Sequence, residues 1–229
     1  IPHDVTSIIG CAVMTGAGAV INTAAVKRGQ SVAIFGVGGV GLSAVVGARM
    51  AGANPIIAVD LDEAKLEFAH RFGATHLVNA SKVDPVAAIH ALTPHKGEYT
   101  IMQAPASGVD FAFDCIGIKK TMEQIVPACR GGRFGVHPGG TAVLVGVPGT
   151  TVELNALDML ITEKRFIGSI GGSCAPDRDF PTFLDWHKNG DLDLDAMVTA
   201  RFRLEDINDA TKALASGQIS GRAILEFEH

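Results

Sequence analysis

Apolar residues along this chain fall into blocks of strand length separated by stretches with helical spacing, and the order of those blocks predicts a fold. Residues 31–35 (SVAIF) and 55–60 (PIIAVD) are near-continuous apolar strands, with a helix over 39–51 between them. Leu66, Phe68, Ala69 and Phe72 repeat at helical spacing within 61–72, residues 76–79 read as a short strand, and 85–92 as a further helix. Residues 109–115 (VDFAFDC) and 141–147 (TAVLVGV) are strands flanking a helix over 121–129, and 165–169 (RFIGS) is a sixth strand. Alternation of this kind predicts the α/β class, with a doubly wound six-stranded parallel sheet and helices on both faces.

Two stretches interrupt the pattern. Residues 93–108 hold two prolines and the only tyrosine, residues 131–140 hold five glycines, and both read as surface loops. Beyond Gly171 the strand–helix–strand rhythm is expected to stop. There 180–188 and 204–216 read as helices, with Glu205 and Asp206 near the start of the latter, and 223–227 (AILEF) as a closing strand. No internal repeat is visible.

Composition agrees with a packed globular chain and removes several classes of function. Of 229 residues, 47% are hydrophobic and 19% charged, enough for a large core. The 24 acidic and 19 basic side chains give a net charge of -5 without any cluster of Lys and Arg, which argues against nucleic acid or an anionic membrane as partner. Residues 8–26 and 31–48 are uncharged and about as long as a membrane span, but Gly, Thr, Asn or Ser break both, and neither is expected to cross a bilayer. Cys11, Cys115, Cys129 and Cys174 are scattered without a C-x-x-C pair, a usage that suits a reducing cytoplasm. The chain opens at Ile1 in what reads as mid-domain sequence, with no cationic start before the first apolar run, so a fragment is expected rather than a signal peptide.

The strongest chemical signal lies where the first strand ends. Residues 35–41 read Phe-Gly-Val-Gly-Gly-Val-Gly, a G-x-G-x-x-G turn between strand and helix, and Asp60 closes the next strand 19 residues after Gly41. Gly36 permits the tight turn, Gly38 lets the backbone approach a pyrophosphate, and Gly41 lets the helix pack closely on the strand, leaving N–H groups free to meet phosphate. Asp60 is placed to accept hydrogen bonds from an adenosine ribose. A lone glycine turn would be weak evidence, but here the βαβ frame surrounds it.

Gly10-Cys11, Thr15-Gly16, the turn 36–41, Val59-Asp60, Lys65, Cys115-Ile116-Gly117, Val145-Gly146-Val147-Pro148 and Gly221-Arg222 together resemble the zinc-dependent medium-chain alcohol dehydrogenase family, along the whole chain. The resemblance implies a Rossmann coenzyme domain over 12–170, with 1–11 ending an N-terminal catalytic segment and 171–229 returning to that split catalytic domain. It implies NAD as cofactor, held by Gly36, Gly38, Gly39, Val40 and Gly41, with Asp60 and Lys65 at the ribose and Leu61 and Ile116 on either side of the adenine. Arg222 would neutralise pyrophosphate, backbone groups at Val145, Ser169 and Gly171 would hold the nicotinamide carboxamide, Val147 would join the cofactor site, and Thr15 would stand among the catalytic residues.

By the same resemblance Cys11 supplies one ligand of a catalytic zinc, while the partner Cys and His and a four-cysteine lobe lie upstream of Ile1. A catalytic zinc site keeps three protein ligands and one open position. The implied activity is oxidation of an alcohol to an aldehyde or ketone, or the reverse, by zinc-assisted hydride transfer on a small-molecule substrate. The chain alone is expected to be inactive, and a homodimer or homotetramer is implied through the edge strand 165–169.

Plainer readings stand beside these. Val40, Leu61 and Ile116 also suit an apolar core, Lys65 a solvated helix face, Arg222 the surface and Cys11 simple packing, and His137 and His187 read as surface residues. A zinc-free NADPH-dependent quinone or enoyl reductase is a rival function, although Cys11 would then be superfluous and Asp60 would repel a 2′-phosphate. A dinucleotide-binding module without catalysis and an S-adenosylmethionine-dependent transferase are rivals of other classes. The continued βα units and Gly221-Arg222 argue against the last.

Overall fold

The computed structural model describes residues 2–227. Strands β1 (Val32–Phe35), β2 (Ile56–Asp60), β3 (His76–Asn79), β4 (Phe111–Asp114), β5 (Thr141–Leu144) and β6 (Arg165–Gly168) form one sheet in the order β3-β2-β1-β4-β5-β6. Every pairing in it is parallel. The strands read as apolar runs because both faces are covered: Val32 and Ile34 enter the core on one side, Ala33 and Phe35 the core on the other. This is the doubly wound order, in which the chain reverses its direction of growth between β1 and β4 and opens a crevice at the carboxyl ends of those strands.

The helix Gly39–Ala51 matches its predicted bounds and packs against a helical run, His3–Thr23, whose sequence shows only an apolar stretch. Small residues make the approach possible. A Cβ on Gly16 would stand 2.0 Å from Val40 O, and one on Gly47 would stand 2.9 Å from Ala17 Cα. By length and composition His3–Thr23 could cross a membrane, but 56% of its most apolar window is buried in the protein, as in a core helix. Its segments Ile9–Val13 and Ala19–Thr23 wind as π-helix, a local widening that often accompanies function. The expected boundary between residues 11 and 12 lies within the first of them.

Side-chain caps explain several helix starts. Asp62 accepts from Ala64 N at 2.8 Å ahead of Glu63–Phe72, and Asp84 accepts from Ala87 N at 2.8 Å ahead of Pro85–Leu92. Asn155 caps Ala156–Thr162, a helix that the sequence reading did not include.

The expectation that strand–helix–strand rhythm ends after Gly171 is corrected. Residues Val198–Arg203 form β7, which pairs in parallel with β8 (Arg222–Glu226) across the helix Ile207–Ala215. Only Val198, Ala200 and Phe202 of β7 are half-buried while Thr199, Arg201 and Arg203 face outward, so its alternation is weak and two of its six residues are cations. The helix near 180 starts earlier, as Pro176–Lys188, because Pro176 suits a first helical turn.

The loops 93–108 and 131–140 lie at the amino ends of the strands and bond to one another. Arg130 pairs with Asp110 at 2.7 Å and meets His137 Nδ1 at 2.6 Å, and His137 Nε2 lies 3.4 Å from Glu98. His137 is thus half-buried rather than a free surface residue, as is His187, whose Nδ1 lies 3.0 Å from Leu192 O.

Candidate dinucleotide site

The glycine turn closes as its sequence suggests, and Gly36 and Gly41 are each required by a close contact. Gly36 has φ +83, and a Cβ there would meet Ile116 Cγ1 at 2.3 Å. A Cβ on Gly41 would stand 1.8 Å from Gly36 O, so the helix start is pressed directly on the turn, whereas nothing lies within 4 Å of one on Gly38. The open face at Gly38 is where a pyrophosphate can meet the N-terminus of Gly39–Ala51.

Arg222, at the start of β8, lies across this turn: a Cβ on Gly39 would come within 2.0 Å of its Cδ. Its Nε is buried and has no hydrogen-bond partner among the described residues. A buried guanidinium donor without a partner is costly, and its place over the helix N-terminus suits an anionic ligand. The residues therefore fit a dinucleotide.

Asp60 at the end of β2 is oriented by backbone donors. Val37 N donates to Oδ2 at 3.0 Å, and Leu61 N and Asp62 N donate to Oδ1 at 2.7 and 3.2 Å. The carboxylate is only half-buried, so lone pairs remain for hydroxyl groups of a ligand. Beside it opens a slot of about 200 Å³ between exposed Leu61 and Ile116, with Val59, Ile118 and Thr121 in its lining. Lys65 sits half-buried on Glu63–Phe72, close to the 216–220 segment: a Cβ on Gly217 would be 3.7 Å from its Nζ.

The other end of the crevice is formed by residues after β5 and β6. Val145 is buried, Val147 and Ile170 are exposed, and Ser169 N donates to Leu144 O at 2.9 Å. Gly171 and Gly172 have φ of +54 and +65, and a Cβ on Gly172 would stand 2.0 Å from Met14 O, which brings this loop onto the His3–Thr23 run. Thr15 is half-buried on that run next to Gly16, whose contact with Val40 O places it against the start of the helix Gly39–Ala51. Cys11, one turn earlier on the π-helical segment, is exposed.

A polar clasp holds the loop there. Asp179 is buried and accepts from Arg178, Asn22 and Ala175 N, and the Arg178 guanidinium beside it holds its carboxyl down at about 2. Thr23 bridges the hydroxyls of Ser169 and Ser173 at 2.8 and 2.7 Å. The sequence reading missed this clasp, and it also missed Thr121 in the lining of the slot beside Asp60 and Asp114, which accepts from it. An acidic residue ending an otherwise apolar strand, as Asp60 does, was the one available signal for Asp114.

Among the described residues no group of three or more His, Cys, Asp or Glu side chains could hold a metal ion. The residues present do not by themselves fit a complete zinc site.

Residues 39–189 match the family model described as zinc-binding dehydrogenase. The chain belongs to the zinc-binding dehydrogenase family. It is 37% identical to an alcohol dehydrogenase class-3 of Cereibacter sphaeroides over 99% of this chain and 57% of that protein. It is 34% identical to an S-(hydroxymethyl)glutathione dehydrogenase of Paracoccus denitrificans over 98% of this chain and 57% of that one. Benzyl alcohol dehydrogenase from Acinetobacter calcoaceticus superposes with a TM-score of 0.85 at 32% identity, covering all of this chain and 58% of its own. The chain thus spans little more than half the length of these relatives of the zinc-binding dehydrogenase family.

Proposed function

We propose that this chain is the NAD-binding part of an oxidoreductase that converts an alcohol to an aldehyde or ketone, or the reverse. Asp60 carries the reading: a carboxylate, aimed by Val37 N at 3.0 Å, stands where the adenosine ribose meets the glycine turn. It can accept from both ribose hydroxyls and would repel a 2′-phosphate, which favours NAD over NADP.

NAD, when bound, supplies the hydride acceptor. The chain's own residues bind and orient it. Gly36, Gly38, Gly39 and Gly41 would admit the pyrophosphate beneath Arg222, Leu61 and Ile116 would enclose the adenine, and Lys65 would reach the ribose from its helix. Val40 would back the nicotinamide ring, backbone groups at Val145, Ser169 and Gly171 would hold its carboxamide with Val147 beside them in the cofactor site, and Thr15 would border the reacting side.

Cys11 is read as one thiolate ligand of a metal whose other ligands are not among the described residues, and on that reading the isolated chain binds cofactor without turning over substrate. Its relatives, an S-(hydroxymethyl)glutathione dehydrogenase and a benzyl alcohol dehydrogenase, suggest thiol adducts of formaldehyde and aromatic alcohols as substrate classes. Four free cysteines suit a reducing, cytoplasmic setting. The β6 edge of the sheet, with exposed Leu157 and Leu160 nearby, supports self-association as a homodimer or homotetramer.

Titrating the chain with NAD and NADP tests the proposal. NAD should bind more tightly, and Asp60→Gly should weaken it by roughly ten- to a hundredfold through loss of charge-assisted hydrogen bonds. Tighter binding of NADP by the unaltered chain would overturn the assignment.

A further inference from the structure

Asp114 ends β4 with its side chain fully buried, and no cation among the described residues pairs with it. Its Oδ1 accepts from Thr121 Oγ1 at 2.8 Å and Ile116 N at 3.2 Å, and its Oδ2 accepts from Gly117 N at 2.9 Å. Enclosing an ionisable carboxyl without a counter-charge is expensive, and burial pushes this one above the usual carboxylate range. A neutral residue would end a strand at lower cost, so the carboxyl calls for a role.

Its bonds end on the walls of the proposed cofactor groove. Ile116 and Thr121 line the adenine slot, and Ile116 lies directly over Gly36. Gly117, at φ +88, is interlocked with the loop after β5: a Cβ on it would stand 2.3 Å from Val147 O, and one on Gly146 would stand 2.3 Å from Gly117 N. The main-chain carbonyl of Asp114 also accepts from Val145 N at 2.9 Å and Gly146 N at 2.8 Å. One residue is therefore bonded to both loops, which meet glycine against glycine.

We propose that Asp114 is a positioning residue for the dinucleotide, its carboxylate fixing the 115–117 turn at the adenosine end and, through the Gly117–Gly146 contact, the 145–147 loop at the nicotinamide end. The inference rests on the reading of this groove as an NAD site. Asparagine is a sharp probe of it. Since Ile116 N and Gly117 N donate to different oxygens, either orientation of an amide sets its NH₂ group against one backbone N–H.

The experiment measures binding of AMP and of NAD to the unaltered chain, Asp114→Asn, Thr121→Val and Thr121→Ser, with a thermal midpoint for each. Asp114→Asn should weaken AMP by about tenfold, the scale of one lost hydrogen bond to a charged group, and NAD by a larger factor. Thr121→Val, which deletes one of the three donors, should shift both affinities the same way by less, and Thr121→Ser should restore them. If the Asn variant fails to fold, the Thr121 pair carries the test. Equal losses for AMP and NAD would overturn the coupling of the two ends. A lowered midpoint with both affinities unchanged would make Asp114 a packing residue. Failure of the unaltered chain to bind either ligand would instead remove the NAD reading itself.

Discussion

Within the glycine turn itself the backbone contacts run between residues near one another in sequence: Gly41 against Gly36 O, and Asp60 to Val37 N at 3.0 Å. At the opposite end of the groove they run across the chain. Asn22 reaches Asp179 at 3.2 Å, Thr23 reaches Ser169 at 2.8 Å, and the Cys174 thiol donates to Met14 O at 3.3 Å, over separations of 157, 146 and 160 residues. The first end is shaped by backbone sterics, which leave almost no choice of residue. The second is held by side-chain hydrogen bonds and by an ion pair between buried Asp179 and exposed Arg178, which many residue sets could supply. The turn should therefore be intolerant of a single methyl group, while the clasp should be sensitive to pH and tolerant of smaller changes.

The largest expected effect is at the turn. Gly41→Ala would put a Cβ 1.8 Å from a carbonyl oxygen that cannot swing aside, forcing helix and strand apart. Overpacking of this kind costs on the order of 3 kcal/mol, about a hundredfold in affinity if the strain falls on the bound state. NAD titration and a thermal melt check it together. Near-normal NAD binding by this variant would show that the turn has more play than its contacts allow.

Asp179→Asn should have an intermediate effect with a distinct pH signature. In the folded chain the carboxyl of Asp179 is held at about 2 against an ordinary 3.8, so its ionised form contributes stability at pH values above the ordinary range, and that contribution is lost as pH falls through about 2. The unaltered chain should lose thermal stability between those values. The Asn variant should start lower at neutral pH and show a shallower acid limb, because it has no proton to take up at this site. Identical acid limbs for the two proteins would remove Asp179 from the clasp.

The smallest effect should come from Cys11→Ala. The side chain is exposed, and surface substitutions of this kind usually change stability by less than about 0.5 kcal/mol. NAD affinity and the thermal midpoint should stay close to those of the unaltered chain. A large loss in either would make Cys11 a structural residue of the π-helical segment and weaken its reading as a metal ligand.

Most of the sheet was legible from the chain. His76–Asn79 and Pro85–Leu92 fall within their predicted bounds because apolar runs and an Asp cap mark them. The strand β7 was not legible, since three half-buried residues among two arginines and a threonine carry little pattern and gain strand form only by pairing with β8. The His3–Thr23 helix was obscured for a different reason: it is apolar on nearly every side, so it has no polar face to reveal its period.

The sequence alone determined the features that depend on local sterics and on alternation: the βαβ turn, the acidic residue at the end of β2, and a parallel sheet covered on both faces. Glycine is required wherever backbone meets backbone, so those positions are written in the chain. Only tertiary structure decided which distant groups share a site. Arg222 lies over Gly39, Asp114 joins two loops through its carboxylate and its carbonyl, and Asp179 ties a C-terminal helix to the N-terminal one. Such pairings depend on the geometry of the folded chain, because a side chain's polar group is satisfied by whatever partner the packing brings within about 3 Å, and the order of residues does not encode that partner.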